Sequence, residues 1–302
     1  MITHNSVKIK NFPILGIGPM SKNCVDAIIE FSNERNFPMM LIASRRQIES
    51  NKLGSGYVNN WSTEQFSKYV FKKDKKKKII LCRDHGGPWQ NENDKKLKLN
   101  LTNAMTSAKK SFMSDIDNNF SFIHIDTSED PNKKLSNNDK LNRIYELYEF
   151  CMNYAKKNKK QIFIEINFGK EDGGIDSPKI LSKNLEKIQK FCQEKKFPLP
   201  TFVVVRNGNH VQEMKNNGKF EKIFQKKQIS NQKKILDCIR ICKKFNIMSK
   251  IHNADYLSNY SIKLHKKIGV SGINIAPEFG VLETISFLKI LDEYKLIKFK
   301  KE

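Results

Sequence analysis

The chain has 302 residues, a hydrophobic content of 38% and a formal net charge of +23, with 55 Lys and Arg against 32 Asp and Glu. This hydrophobic content excludes a disordered chain and is sufficient for a sizeable core. The excess charge favours anionic partners, but the lysines are spread along the chain and the dense run at 72–78 falls between predicted elements. We therefore expect a small anionic ligand and do not expect nucleic acid as a partner.

The six cysteines are scattered and form no CxxC pair, which is typical of reduced packing residues in a cytoplasmic protein. The first ten residues, MITHNSVKIK, lack the apolar stretch of a signal peptide, and no segment approaches 18 apolar residues. We expect a cytoplasmic protein that has no membrane partner.

Eight short apolar and β-branched runs recur along the chain, and a longer segment of helical periodicity follows each of them. Several runs are hydrophobic almost throughout, as parallel strands covered on both faces are. The predicted strands are Pro13–Gly18, Met39–Ala43, Ile79–Arg83, Ser121–Asp126, Gln161–Asn167, Thr201–Arg206, Ile247–His252 and Val270–Ala276.

The segments between these runs have the apolar spacing of helices, and the second of them opens on Ser62 as an N-cap with an acidic first turn. The other predicted helices are Ser21–Asn36, Leu99–Asn118, Asn138–Lys159, Lys179–Lys196, Asn231–Phe245, Ser258–Lys267 and Leu282–Tyr294. Eight alternations predict one α/β domain over residues 1–302, a (β/α)8 TIM barrel. A doubly wound open sheet is the alternative, but the glycine-rich phosphate loop expected after its first strand is absent.

Chemistry in such a barrel takes place at the carboxyl ends of the strands. Many polar residues fall at or just after the predicted strand ends, where eight converging strands can direct them into one cavity. They are Arg45, Arg46, Gln47, Asp84, His85, His124, Asp126, Glu165, Asn167, Arg206, Asn207, Asn209, His252, Asn253, Asp255, Asn274 and Glu278.

Imidazoles and a carboxylate from alternate strands form a ligand set for a divalent metal with an open position for substrate. We assign His85, Glu165 and His252 to this set, with zinc as the first choice and manganese as the second. His124 is the competing ligand.

A carboxylate beside such a metal can move a proton from a hydroxyl or from a carbon next to a carbonyl, and Asp84 is the candidate for that role. Asp126 is either a second acid or base, or a residue that only orients a histidine. An extended chain directs at most one of Arg45 and Arg46 into the cavity, where it can hold a phosphate or carboxylate; a surface pair is the alternative. Glu278 suits sugar hydroxyls or a nearby cation. The complete set of candidate substrate-binding residues is Arg45, Arg46, Gln47, His124, Asn167, Arg206, Asn207, Asn253, Asp255, Asn274 and Glu278.

Five stretches, in order, resemble the tagatose-bisphosphate aldolase non-catalytic subunit family, the Z-type relatives of class II aldolases. They are GYV…WSTEQF at Gly56–Phe66, RDHGGPWQ at Arg83–Gln90, FIHIDTSEDP at Phe122–Pro131, FIEINFGKEDGG at Phe163–Gly174, and the long run from IHNADYLS to APEFGVLET at Ile251–Thr284. The resemblance implies a class II aldolase-like barrel in which Asp84 transfers a proton and His85 binds the metal. His252 and Asn253 match a second motif, and Glu165 lies in a third.

Two stretches depart from the family pattern: IASRRQI at 42–48 stands where an EATSNQV-like stretch is usual, and RNGN at 206–209 replaces a QTGT-like one. Both add cationic or amide groups to the predicted cavity. We therefore expect metal-dependent aldol, retro-aldol or epimerase chemistry on a phosphorylated or acidic ketose.

The alternative function is a non-catalytic subunit that stabilises a separate tagatose-bisphosphate aldolase. The presence of Asp84, His85, Glu165 and His252 together at strand ends favours the enzyme. Beyond a sugar phosphate or sugar acid, the expected partners are an aldolase catalytic subunit or a second copy of the chain.

Overall fold

Eight parallel strands close into a barrel in a computed structural model that describes residues 13–170 and 172–294. With two further strands, β7 and β8, that lie outside the barrel, the strands in chain order are β1 (Ile14–Ile17), β2 (Met39–Ser44), β3 (Ile79–Gly86), β4 (Phe122–Asp126), β5 (Phe163–Asn167), β6 (Phe202–Val204), β7 (Val211–Gln212), β8 (Lys215–Asn216), β9 (Met248–Ile251) and β10 (Gly272–Ile275). Pairing of β1 with both β2 and β10 closes the barrel, and β7 and β8 form a separate antiparallel hairpin. The predicted TIM barrel and its eight strands are confirmed.

Helices follow the barrel strands. They are α1 (Lys22–Glu34), α2 (Thr63–Lys73), α3 (Glu92–Lys96), α4 (Leu101–Asp117), α5 (Asn137–Lys157), α6 (Pro178–Lys195), α7 (Phe220–Gln225), α8 (Ile229–Lys244), α9 (Asn259–Ile268) and α10 (Pro277–Glu293). Ser62 and Gln65 form a capping box at the start of α2. The short helices α3 and α7 and the β7–β8 hairpin were not predicted, because each is an insertion too short to show a period. The parts of the predicted 1–302 domain at 1–12, 171 and 295–302 lie outside the described residues.

The core has two layers, because alternate residues of each strand face opposite sides of the barrel wall. On β2, Met39, Leu41 and Ala43 pack outward against the helices, whereas Met40 and Ile42 point into the barrel. The inner residues form an apolar plug, which we define as Ile14, Met40, Ile42, Ile80, Cys82, Phe122 and Phe202. This plug leaves the carboxyl end of the barrel for polar side chains.

All six cysteines are unpaired and buried. Within the described part of the chain, no helix combines the length and the apolar character needed to cross a membrane.

Candidate active site

Three histidines converge above the apolar plug. His85 belongs to β3, His124 to β4, and His252 directly follows β9. Their ring centroids lie 5.2 to 5.4 Å apart, and one nitrogen from each lies within 4.8 Å of the others. Three imidazoles at this spacing form a set of donors that can hold a divalent metal such as zinc.

A bulge in β3 delivers two consecutive residues to this site. The pairing register of β3 with β4 shifts between Arg83 and Gly86, and His85 has a φ of 43°, in the left-handed region. In a regular strand Asp84 and His85 would face opposite sides. Here His85 Nε2 lies 3.8 Å from Asp84 Oδ2, so that both residues of the Asp-His pair reach the site.

The two glycines that follow His85 are required by close packing, and a Cβ on the first, Gly86, would lie 2.7 Å from the carbonyl oxygen of His124. A Cβ on Gly87 would lie 1.9 Å from the carbonyl oxygen of Asp126, so only glycine allows the chain leaving β3 to pass the end of β4. The GG of the DHGG motif therefore has a steric reason.

Asp126 contacts His85 directly. Its Oδ2 lies 2.7 Å from His85 Nδ1 and accepts from Gln90 Nε2 at 3.1 Å, while Oδ1 accepts from the backbone N–H of Ser128. Burial favours the neutral acid, but the bond to His85, the charges of His85 and His124 and the bond from Ser128 together outweigh it, and the pKa of Asp126 falls well below its usual range. With Nδ1–H donating to this carboxylate, His85 presents Nε2 to the site, which matches the orienting role for Asp126.

His124 is in contact with Asp84. Its Nδ1 lies 3.3 Å from Asp84 Oδ1 and, in the other tautomer, accepts from the backbone N–H of His85 at 3.1 Å. Its Nε2 is buried and has no hydrogen-bond partner among the described residues. Burial raises the pKa of the Asp84 carboxyl. The charges of His85 and His252 and the hydrogen bond to His124 together lower it by more, so the pKa lies below its usual range and Asp84 is ionised.

Glu165, which we assigned as a metal ligand, is outside the three-histidine group. Its Oε2 accepts from Lys250 Nζ at 2.7 Å, and its Oε1 lies 3.0 Å from His252 Nε2. Burial raises the pKa of Glu165, but the charge of Lys250, together with the contacts of His124 and His252, outweighs it and brings the pKa to about 2. The structure thus places His124 in the group and makes Glu165 a contact of His252.

Lys250 is a part of the site that sequence reasoning missed. It is fully buried and its Nζ lies 5.4 Å above the ring of Phe202, at the top of the apolar plug. Its position two residues before His252 is the only available signal, because strand alternation directs both side chains inward.

A cavity of about 400 Å³ opens above His85. Arg46 and Lys170 lie at its rim, and buried Asn167 has a side-chain nitrogen without a hydrogen-bond partner among the described residues. The complete lining is Ser44, Arg46, His85, Gln90, Asp126, Ser128, Glu129, Asn167, Lys170 and Asp172.

Of the adjacent arginines, only Arg46 lines this cavity. Arg45 points into the wall behind it, where it donates to Glu49 at 2.6 Å and to Asp94 at 2.9 Å and is fully buried. The placement of Arg45 in the cavity is therefore wrong, because the unpredicted helix α3 supplies a buried acid for it. The same helix supplies Glu92, 2.8 Å from Arg46.

Three other residues that the sequence predicted to bind substrate form hydrogen bonds with neighbouring chain segments and do not line the cavity. Gln47 accepts from the backbone N–H of Ser44, the Arg206 guanidinium donates to Asp176 and Asp172, and Asn207 lies 2.7 Å from His265 Nε2. None of the three lines the 400 Å³ cavity; Arg206 instead borders a larger groove beside it.

The residues after β9 and β10 divide between the site and the start of α10. Asn274 Nδ2 lies 3.0 Å from His252 Nε2 and 3.4 Å from Asp84 Oδ1, which places Asn274 in the site. Asp255 accepts from two backbone N–H groups at the start of α10, and Glu278 accepts from the N–H of Tyr256. Asn253 has a φ of 54° and its carbonyl accepts from Asn216, so these three shape the loop.

Neither a protein-family model nor a curated protein matches this chain. Solved structures do match. A protein from Sinorhizobium meliloti 1021, described as a probable tagatose 6 phosphate kinase, has a TM-score of 0.69 at 15% identity, over 88% of this chain and 65% of its own. The YdjI aldolase from Escherichia coli K12 has a TM-score of 0.60 at 15% identity, over 98% and 86%.

The fructose-bisphosphate aldolase from Campylobacter jejuni has a TM-score of 0.60 at 18% identity, over 97% of this chain and 78% of its own. The chain spans less than two thirds of the Sinorhizobium protein. At these identities the likeness establishes the fold: the chain is a TIM barrel of the kind that aldolases share.

Replacement of the two arginines separates their roles. Arg45→Met leaves Glu49 and Asp94 buried without their cation and is expected to lower the free energy of unfolding by about 3–5 kcal/mol. The matched variant Arg46→Met removes a half-exposed ion pair and is expected to cost less than about 1 kcal/mol. Urea unfolding measures both; equal effects of the two variants would contradict the assignment.

A double-mutant cycle tests the Lys250–Glu165 pair. Lys250→Met leaves a buried, uncompensated carboxylate and is expected to destabilise by about 3–5 kcal/mol. Adding Glu165→Gln removes that charge, so the double variant should be more stable than Lys250→Met alone. Additive losses in thermal or urea unfolding would show that the two residues do not interact.

Proposed function

We propose that this protein is a metal-dependent carbohydrate enzyme of the class II aldolase type. It acts by aldol or retro-aldol chemistry, or by epimerisation through the same steps, on a phosphorylated or acidic ketose. The observation that carries the proposal is the convergence of three imidazoles beside an ionised Asp84 at the carboxyl end of the barrel.

The donor set fits a divalent metal on two grounds. Three imidazoles with an open side are a ligand set of catalytic zinc. The buried His124 Nε2 has no hydrogen-bond partner among the described residues, which is costly unless a ligand meets it. His85, His124 and His252 would hold the ion, with zinc ahead of manganese.

When bound, such an ion polarises a carbonyl or hydroxyl oxygen as a Lewis acid. Asp84 then serves as the base that takes a proton from a substrate hydroxyl or from a carbon next to the carbonyl. Positive charge beside Asp84, which the ion would supply once the imidazoles are neutral ligands, keeps the carboxylate in the accepting form. Asn274, within 3.4 Å of Asp84, and Asp126, on His85, hold the groups in position.

The lining of the cavity offers polar partners for a sugar. Arg46 and Lys170 are cations that pair with Glu92 and Glu129, so an anionic group of the substrate would have to displace these acids. The Asn167 side-chain nitrogen, which has no hydrogen-bond partner among the described residues, is a buried donor that a sugar oxygen can satisfy. The names of the structural neighbours, an aldolase and a fructose-bisphosphate aldolase, agree with ketose chemistry. A sugar phosphate or sugar acid as the partner, and a cytoplasmic location, belong to this proposal.

Metal analysis of alanine and amide variants tests the ligand set. His124→Ala is expected to lose bound zinc, whereas Glu165→Gln should retain it with an affinity lowered by no more than about 10–100-fold, as for a group that orients a ligand. His210→Ala, outside the group, is the control. Zinc retained by His124→Ala and lost by Glu165→Gln would instead restore Glu165 as the ligand.

A turnover assay over phosphorylated and acidic ketoses tests the reaction. Asp84→Asn is expected to keep its metal and to lower kcat by about 10²–10⁴, because it removes the proton acceptor only. Retro-aldol products and epimers are measured together. A wild-type protein with neither metal nor turnover would contradict the enzyme and favour the non-catalytic subunit.

A further inference from the structure

A second, larger cavity lies beside the one that opens above His85. It is a groove of about 940 Å³ between the segments that follow β4 and β5, and the starts of α5 and α6 contribute to its sides. The groove and the 400 Å³ cavity share three lining residues, Ser128, Lys170 and Asp172. The groove therefore adjoins the candidate active site.

Lys140 lines this groove between the ends of two barrel strands. Its backbone carbonyl accepts from Thr127 Oγ1, directly after β4, and its Nζ donates at 3.0 Å to the carbonyl of Phe168, directly after β5. An ammonium group has three N–H donors. Lys140 is partly buried, and its ammonium forms no salt bridge with any described residue.

A partly buried charge whose one partner is a neutral carbonyl is unfavourable. Burial, and after it the charge of Arg206, lowers the pKa of Lys140, although the charges of Asp126 and Asp176 act in the opposite sense. An anion that enters the groove would supply the missing partner.

The acidic residues of the groove do not supply that partner, because each of them already binds an arginine. Asp130 pairs with Arg143, and Asp172 and Asp176 both pair with Arg206. The negative charges of the lining are therefore compensated within the chain.

The other lysines of the groove differ in the same respect. Lys133 and Lys170 each have an acidic partner, whereas Lys134 is exposed and forms no ion pair with the described residues. Lys134 and Lys140 are thus two positive charges of the groove that lack a counter-ion.

Two ammonium groups suit a phosphate, which carries up to two negative charges, better than they suit one carboxylate. The start of α6 adds partial positive charge, because Ser177 lines the groove and its side chain makes no capping bond. The cations of the smaller cavity, Arg46 and Lys170, have acidic partners and are less available for this role.

We propose that Lys140 and Lys134 bind a terminal phosphate of the substrate in this groove, while the carbonyl end of the same molecule lies at the histidines. The substrate is then an open-chain sugar that spans both cavities and carries its phosphate at the end remote from the carbonyl. The identity of the reacting end rests on the proposed function, whereas binding of the phosphate requires no turnover.

Calorimetric titration of the full chain with sorbitol 6-phosphate tests the subsite, because this probe has no carbonyl and cannot undergo the aldol reaction. Lys140→Met is expected to weaken its binding by about 10–100-fold, since a hydrogen bond to a charged group is lost. Lys134→Glu should weaken it by at least about 10-fold, since like charges then meet. Lys195→Met, a change of the same charge at the far end of α6, is the matched control and should bind as the wild type does.

Sorbitol and gluconate are the comparison ligands, and circular dichroism verifies that each variant is folded. Lys134 is exposed, so Lys134→Glu provides the test even if Lys140→Met does not fold. Sorbitol 6-phosphate that binds no more tightly than sorbitol, or equally well to the wild type and both groove variants, would overturn the subsite. Tighter binding of gluconate would overturn it in favour of a sugar acid.

The subsite and the proposed function fail separately. Phosphate binding that depends on Lys140 and Lys134 in a protein without metal or turnover would support the subsite and contradict the enzyme. Turnover of a phosphorylated ketose with a KM that Lys140→Met and Lys134→Glu leave unchanged would support the enzyme and overturn the subsite.

Discussion

Burial of charge is the constraint that organises the carboxyl end of this barrel. An isolated ion in a low-dielectric interior is costly, so each buried charge requires a partner of opposite sign or several hydrogen bonds. Glu165 forms a salt bridge with Lys250, Arg83 with Asp115, and Arg45 with Glu49 and Asp94. These pairs hold the strand ends and the loops that follow them in one arrangement.

The histidine cluster is the exception that gives the site its chemical character. Each of the three histidines touches a carboxylate, but the buried Nε2 of His124 has no hydrogen-bond partner among the described residues. The ion pairs of the wall are thus satisfied internally, whereas His124 Nε2 and the side-chain nitrogen of Asn167 keep unmet hydrogen-bonding capacity at the site. That division distinguishes groups that hold the barrel together from groups that can act on a substrate.

Two short segments that the strand and helix periods do not predict, α3 after β3 and the β7–β8 hairpin after β6, contact the residues that follow other strands. Helix α3 brings Asp94 and Glu92 to the paired arginines, and the β7–β8 hairpin accompanies the Asn207–His265 contact. Arg45 and Asn207, which the sequence placed at the substrate pocket, instead bind neighbouring segments through Glu49, Asp94 and His265. Of the two arginines, only Arg46 lines the cavity.

The sequence by itself determined the barrel, its eight strands and the rim on which polar residues gather, because strand and helix periods are local and the carboxyl ends of parallel strands must meet. It also determined Asp84, His85 and His252 as neighbours. The tertiary structure alone decided that His124 joins the histidines while Glu165 binds Lys250. That choice depends on a bulge in β3, on the left-handed backbone of His85 and on a buried cation from another strand. Periodicity contains none of these, because it describes one strand at a time, whereas a ligand set is a property of distances between strands.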